Sequence, residues 1–456
     1  MTKWLAPALD YIPRWLEYQV QSGRIPGIGF ALASGGKLVL EQGFGHANLA
    51  TGEKLTAEHR FRVASHSKTF TVAGIMKLVE AGRLRLDDRA GQHVSGLHKA
   101  VAAATVAQRA SHTAGIIRDG LDSGQWSDRR PFLNAEELRA ALAEAPVIPA
   151  NTRMKYSNHG YGLLGLIIEA VTGEAYNDWI AREVVAAVGL PRTQPDGPVA
   201  KGVPFASGHA SHLLLGERYV LPATNPTHAL ASATGFVSTA GDLARFFAQL
   251  SPVAKTSILS VESRREMARR QWKIADMSVE RHYGLGTIHG DCGDWAWFGH
   301  SGGFQGTITQ TATVPSVDLT LSVLTNAADG PAAMLLDGAL RILQGFAKSG
   351  PPAKGLEAWS GRWWGLNGAS DLVAMGGKVV VAQPGFYNPF MDASELAPGE
   401  DGVAMITKAG GFGHQGETVR LERDKKGKTV AVWLAGHRMI PQAAMVKEAR
   451  ARYLGG

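Results

Sequence analysis

Ser65 and Lys68 stand three residues apart in the stretch FRVASHSKTFTV, residues 61–72. If a helix opens here, the amine lies one turn from the hydroxyl on the same face. An amine so placed can take the hydroxyl proton and turn serine into a nucleophile. The helix N-terminus adds partial positive charge, which favours an oxyanion beside the serine. An N-cap explains the same serine without chemistry, and the stretch alone leaves both open. Ser67 has the wrong offset from Lys68 and reads as a bystander. A second pair with the same spacing, Ser34 and Lys37, falls in Ser34-Gly35-Gly36-Lys37, a hairpin turn that needs no chemistry.

Two further clusters could serve such a serine. Tyr156-Ser157-Asn158 holds the one tyrosine of nine that is followed two residues later by asparagine. A phenol near a lysine ammonium loses its proton more easily, which suits a general base. The asparagine amide can bind a substrate carbonyl, and a polar turn capping the next helix explains it equally. His300-Ser301-Gly302-Gly303 follows Trp295, Trp297 and Phe298 and leads into GTITQTATV. Glycines there let a substrate lie along a strand edge; a purely structural histidine is the plain alternative for His300. Lys348-Ser349-Gly350 looks similar but sits among prolines with no strand around it.

These residues need elements to hold them. Residues 27–49 read as a hairpin, and Phe70, Ala73, Ile75, Met76, Leu78 and Val79 are spaced for the buried face of a helix stopped at Gly82. Asn134 and Glu137 have capping-box spacing, GYGLLGLIIEAV over 160–171 is helical, and Thr239 and Asp242 open another helix through LARFFAQL. From Asp294 the pattern returns to strands: DWAWFG, GTITQTATV and DLTLSVLTN. Strands at both ends with helices between predict an α+β fold whose first and last strands share one sheet. KSGPPAKG, 348–355, breaks the pattern, and the hairpins beyond it predict a separate antiparallel β domain. The expected division is 1–347, a linker at 348–355, and 356–456.

Composition excludes several function classes. The net charge of +7 over 456 residues is scattered, so a nucleic-acid stripe is not expected. Cys292, the only cysteine, lies between Asp291 and Asp294; it permits no intramolecular disulfide and reads as incidental. The amphipathic N-terminus, MTKWLAPALDYIPRWLEYQV, has charges where a signal peptide would be apolar. No stretch approaches the ~18 apolar residues of a membrane span. The expectation is a soluble cytoplasmic protein without a membrane partner, cofactor or metal, since the 15 histidines include no His-Glu-x-x-His pair. Oligomeric state is left open.

Taken together, the three clusters resemble the serine β-lactamase and penicillin-recognising superfamily, in its branch of class C β-lactamases, D,D-carboxypeptidases and D-aminopeptidases. FRVASHSKTFTVAGIMKLVEAGRLRLDD, SHTAGI at 111–116, YSNHGYGLLGLIIEAVTGEAYNDWI, ATGFVSTAGDLARF and GHSGGFQGTIT occur in the family's order across roughly residues 20–345. The resemblance implies an antiparallel sheet flanked by helices with a helical subdomain, followed by a lipocalin-like C-terminal β barrel. It implies Ser65 as acylated nucleophile, Lys68 as its proton partner and Tyr156 as general base. Ser65 and Gly303 would supply the oxyanion hole, and Asn158, His300, Ser301 and Gly302 would bind substrate. His300 replaces the family lysine that helps bind the β-lactam carboxylate, and neutral histidine demotes β-lactam hydrolysis in favour of amides or esters. The implied function is a peptidase or amidase of D-aminopeptidase type on small molecules or short peptides. A carboxylesterase, a β-lactamase and a silent binding or scaffold protein are the alternatives. In relatives the barrel can reach over the cleft; PGFYNPFMD (384–392) and AGGFGHQGE (409–417) are the loops that could do so, and packing or turn roles fit them too.

Overall fold

The computed structural model describes residues 2–410 and 413–455; Gly411 and Phe412, in the 409–417 loop, lie outside the described residues. The chain forms two compact units, Ile25–Leu336 and a second built from Met1–Arg24 with Asp337–Gly456. These units differ from the expected division. The N-terminal helix α1, Leu5–Ser22, groups with the C-terminal unit, and its buried face explains why. Tyr11 stacks on Phe390 with ring centroids 5.8 Å apart. Trp15 Nε1 donates to Phe386 O at 3.2 Å, and Gln19 Nε2 donates to Pro384 O at 2.6 Å. Much of the 384–392 loop is thereby committed to packing within its own unit.

The larger unit is built on a nine-stranded sheet. Its main strands are β1 (Gly27–Ser34), β2 (Lys37–Asn48), β3 (Ile288–Cys292), β4 (Trp295–Phe304), β5 (Thr307–Val314) and β6 (Leu319–Thr325). They run in the order β2-β1-β6-β5-β4-β3, with three two-residue strands at the margins. β1 pairs with β6 in antiparallel register, Phe30 opposite Val323 and Leu32 opposite Leu321. The first and last strands of the unit are therefore neighbours, as the strand–helix–strand pattern implies. Ser34 pairs with Lys37 across the β1–β2 turn, which leaves that pair structural.

Three helices position the residues of the cleft: α2 (Ser67–Glu80), α3 (Asn158–Thr172) and α4 (Ala240–Gln249). α4 packs across β1 and β6, and Thr239 caps it by accepting from Asp242 N–H at 3.2 Å. The predicted capping box at Asn134 and Glu137 also forms, each side chain accepting from the other's backbone at 2.9 Å. α2 is buried nearly all round, so its position is fixed by packing on every side. Phe70 is the key: its ring lies 3.8 Å from that of Phe246 and 4.3 Å from that of Phe236, stacked between them.

In the second unit, eight consecutive antiparallel strands run from Gly361–Gly365 to His437–Met439. Trp364 and Ile440 exchange backbone hydrogen bonds of 2.8 and 3.0 Å, which draws the first strand against the end of the last and nearly closes a barrel. Its interior is aliphatic: Leu372, Val379, Leu396, Ile406, Val419 and Val432 are buried. The basic run near Lys425 is the hairpin tip expected from sequence, with Asp424 Oδ1 accepting from the Lys426 and Lys428 N–H groups. Among the described residues no helix is long and apolar enough to cross a membrane.

Truncating Phe70 leaves a cavity between two fixed rings. Phe70→Ala should destabilise the protein by about 3–5 kcal/mol in urea unfolding, and a loss below about 1 kcal/mol would show that the stack does not hold α2.

Candidate active site

The turn that delivers Ser65 is tight. Ala64 adopts φ +46°, in the left-handed region that a Cβ disfavours, and a 3₁₀ turn over Ala64–His66 runs straight into α2. Ser67 holds this turn, so it is not the bystander its spacing suggested. Its hydroxyl donates to Ala64 O at 2.5 Å and accepts from Phe236 N–H at 2.9 Å, fully buried. His66 braces the turn from the other side: Nδ1 donates to Val63 O at 3.0 Å, and Nε2 accepts from the Thr311 hydroxyl at 3.0 Å. A carbonyl only accepts, so Nδ1 carries the proton. Burial lowers the His66 pKa to about 4, so the ring is neutral.

Lys68 lies one turn below Ser65 and is completely buried. Its Nζ is 2.7 Å from Asn158 Oδ1, 2.8 Å from Ala233 O and 3.2 Å from Ser65 Oγ. Ala233 belongs to a π-helical turn, Ala231–Gly235, that presents its carbonyl to the amine. Burial pushes the Lys68 pKa well below the usual lysine value, with Asp119 opposing and Arg118 reinforcing the shift. Tyr156 donates to Ser65 Oγ at 2.8 Å. Its ring lies 4.7 Å from Lys68 Nζ and 5.1 Å from the Arg118 guanidinium. Burial nevertheless raises the Tyr156 pKa above the ordinary phenol value. Burial thus works against the charged form of both groups, the ammonium of Lys68 and the phenolate of Tyr156.

Asn158 is buried, and its amide is already engaged. Oδ1 accepts from Lys68, while Nδ2 donates to Asp119 Oδ1 at 2.6 Å. It links the amine to an acid that no motif marked. Asp119 also accepts from Arg118 Nε at 3.0 Å.

His300 sits on β4 opposite Thr311 of β5. Its Nδ1 donates to Ser301 O at 2.7 Å, and its Nε2 accepts from the Tyr283 hydroxyl at 2.9 Å. Burial, helped by His66 and Lys68, lowers its pKa well below the normal imidazole value. The absent side chain of Gly302 lets β4 approach the serine turn. A Cβ there would lie 2.1 Å from Val63 O and 2.6 Å from Thr309 Oγ1.

These residues line one cleft of about 440 Å³ together with Arg118, Asp119, Trp126, Met154, Ile274, Tyr283 and Ile288. Ser65, Tyr156, Asn158, His300, Ser301, Gly302 and Gly303 all face it, and Lys68 lies beneath the serine. Asp119 and Tyr283 escaped the sequence reasoning. Tyr283 had one usable signal, its glycine-flanked context HYGLG. A Cβ on Gly284 would meet Arg269 O at 2.6 Å, and Gly286 has φ +67° and passes its carbonyl to Thr69 Oγ1 at 2.6 Å.

Ser67→Ala removes the hydroxyl that ties Ala64 to Phe236. The variant should lose about 1–3 kcal/mol of stability and react more slowly at Ser65 with a fluorophosphonate, read by intact mass; unchanged stability and labelling would show that the turn stands without it.

The chain spans about a third of the length of Protein flp from Staphylococcus aureus (strain N315), with 30% identity over 176 residues, 37% of this chain and 34% of that protein. Penicillin-binding protein 4 of Amycolatopsis lactamdurans is 28% identical over 325 residues, 66% of this chain and 81% of that one. Among solved structures, the octameric penicillin-binding protein homologue from Pyrococcus abyssi superposes with a TM-score of 0.65 at 23% identity, covering 95% of this chain and 99% of its own. D-amino acid amidase from Ochrobactrum anthropi SV3 gives 0.65 at 22% identity, covering 75% and 98%. At these identities the structural likeness shows a shared fold. The Beta-lactamase family matches residues 12–346. That span covers most of the chain and takes in the serine turn, both partner clusters and the sheet between them, so the chain belongs to the Beta-lactamase family, whose members are serine hydrolases.

Proposed function

We propose that the protein hydrolyses small amides or short peptides through an acyl-Ser65 intermediate, in the manner of a D-aminopeptidase or D-amino acid amidase. One observation carries the proposal: two of the three hydrogen-bonding directions of Lys68 Nζ are taken by the acceptors Asn158 Oδ1 and Ala233 O, and the third faces Ser65 Oγ. A neutral amine spends its two N–H groups on those acceptors and aims its lone pair at the serine. Burial favours that neutral form.

The protons then balance through both half-reactions. Ser65 Oγ attacks the substrate carbonyl, and its proton passes to Lys68 Nζ. The oxyanion is held by the backbone N–H groups of Ser65 and Gly303. As the carbon–nitrogen bond breaks, Tyr156 gives its proton to the departing amine. The acyl-enzyme is left with an ammonium at Lys68 and a phenolate at Tyr156, which attract one another. Water then attacks the ester and loses a proton to Tyr156, while Lys68 returns its proton to Ser65 Oγ. Tyr156 is the base in the second half, and Lys68 in the first. The coupled pair titrates as a unit.

The cleft size suits a substrate of one or two residues. The D-amino acid preference draws support from the fold shared with D-amino acid amidase. Asp119 supplies an acid on the cleft wall for a substrate amine.

A fluorophosphonate should place a single adduct on Ser65, and labelling that survives Ser65→Ala would sink the assignment. Replacing Tyr156 with Phe should slow acylation by ~10²–10⁴-fold, and wild-type rates would remove the tyrosine from the proton path. Because the amine must be unprotonated, acylation should rise with pH as Lys68 loses its proton. The depressed Lys68 pKa places the end of that rise well below the ordinary lysine value of 10.5. A rate still climbing steeply above about pH 9 would contradict a neutral resting Lys68.

A further inference from the structure

We propose that His112 is the positioning residue of Tyr156. It ties down the backbone on both sides of the tyrosine and stacks on its ring, which keeps the phenol on the proton path between Ser65 and the leaving group. This rests on the acyl-Ser65 reading and names a further residue on which that reaction depends.

Three contacts converge on the tyrosine. The His112 carbonyl accepts from Lys155 N–H at 2.6 Å, and its Nδ1 accepts from Ser157 N–H at 3.1 Å. The residues before and after Tyr156 are thus held by a single residue. The imidazole also lies against the Tyr156 ring, with centroids 4.1 Å apart and the planes tilted by 35°. A backbone N–H can only donate, so Nδ1 holds the lone pair and the ring proton is on Nε2. A second proton would fall on Nδ1 and break the bond to Ser157. Burial lowers the His112 pKa well below the ordinary imidazole value, with Lys68, His300, Arg118 and Lys155 reinforcing the shift.

This residue is held in place at a cost. His112 adopts φ +58°, in the left-handed region that a side chain disfavours. Its Nε2 is buried with no hydrogen-bond partner among the described residues, amid the rings of Tyr161 at 4.9 Å and Tyr283 at 4.7 Å. A buried N–H without an acceptor is destabilising. Strain of this kind persists only where the surroundings impose it, and it concentrates at functional sites. Here the surroundings do impose it. His112 N–H donates to Arg109 O at 3.0 Å, Thr113 N–H to Gln108 O at 2.6 Å, and the Tyr161 hydroxyl to Ala110 O at 2.6 Å. Past the tyrosine the chain is fixed again, with Ser157 Oγ donating to Ile117 O at 2.6 Å and Asn158 N–H to Arg118 O at 2.9 Å. From the middle of this clamp the Tyr156 hydroxyl reaches Ser65 Oγ at 2.8 Å.

His112→Phe keeps an aromatic ring and removes the acceptor at Nδ1. Two readouts on the same enzyme separate positioning of Tyr156 from general support of the site. D-phenylalaninamide and D-phenylalanine methyl ester both need a proton from Tyr156 as their leaving group departs, whereas the fluoride of a fluorophosphonate departs without one. In H112F, kcat/KM on both substrates should fall by about 10–10²-fold, while the rate of Ser65 labelling stays within about threefold of wild type. His112→Asn returns an acceptor near the place of Nδ1 and tolerates the left-handed backbone, so its turnover should recover to within about fivefold of wild type. Wild-type turnover by H112F overturns the proposal. So does a parallel loss of turnover and labelling, which marks a merely structural role, or an H112N enzyme no better than H112F. If H112F does not fold, His112→Gly, which takes the left-handed conformation without strain, replaces it with the same outcomes. Tyr156→Phe in the same assays separates the two proposals. Wild-type turnover by Y156F defeats the role of the tyrosine and this inference with it, as does labelled wild-type enzyme that cleaves neither substrate. A slow Y156F enzyme beside an H112F enzyme of wild-type rate defeats this inference alone.

Discussion

A lysine amine buried without a neighbouring carboxylate is an expensive thing to build, and this site is organised around one. Among the described residues Lys68 Nζ has no acid in direct contact; its partners are an amide oxygen, a backbone carbonyl and a serine hydroxyl. Desolvation therefore works against the ammonium, and neutral acceptors are what remain to orient the amine. Three separate parts of the chain must meet to supply them: the start of α2, the first residue of α3 and the π-helical turn at 231–235. The aromatic stack on Phe70, the Ser67 bridge and the burial of α2 on nearly every side make sense as means of holding that meeting point. A looser helix would admit water and weaken the desolvation that works against the ammonium.

The same logic extends to the walls. Tyr161, Tyr283 and His300 are buried polar rings and Tyr156 is a half-buried one, and desolvation moves each toward its neutral form. Formal charge faces the cleft at Arg118 and Asp119, which pair with each other. Apart from that pair, the polar groups around the serine are ones whose charged forms burial disfavours.

Much of this was legible in the sequence because it is local. Ser65 and Lys68 are one helical turn apart, Asn134 and Glu137 cap their own helix, and the alternation in GTITQTATV marks a strand. The pairing of the first and last strands followed from order alone. What sequence did not show is non-local. Asp119 matters through Asn158, thirty-nine residues away, and no spacing rule connects them. Ser67 matters through Phe236 N–H, a bond to a backbone atom that leaves no trace in residue type. Tyr283 reaches His300 through sheet geometry. The N-terminal helix showed its amphipathic face plainly, but nothing in that face said that its partner would be the 384–392 loop, more than three hundred and sixty residues on.

Gly302 has a consequence for how this cleft can change. With Val63 O only 2.1 Å from where its Cβ would stand, the strand is pinned against the serine turn, and no larger residue fits without prising the two apart. Reshaping of the cleft, in nature or in the laboratory, is thus closed at Gly302 itself and left to neighbours with room to change: Gly303, whose Cβ would meet only Ile308 at 3.5 Å, and Trp126, Met154, Ile274 and Ile288, side chains that line the opening.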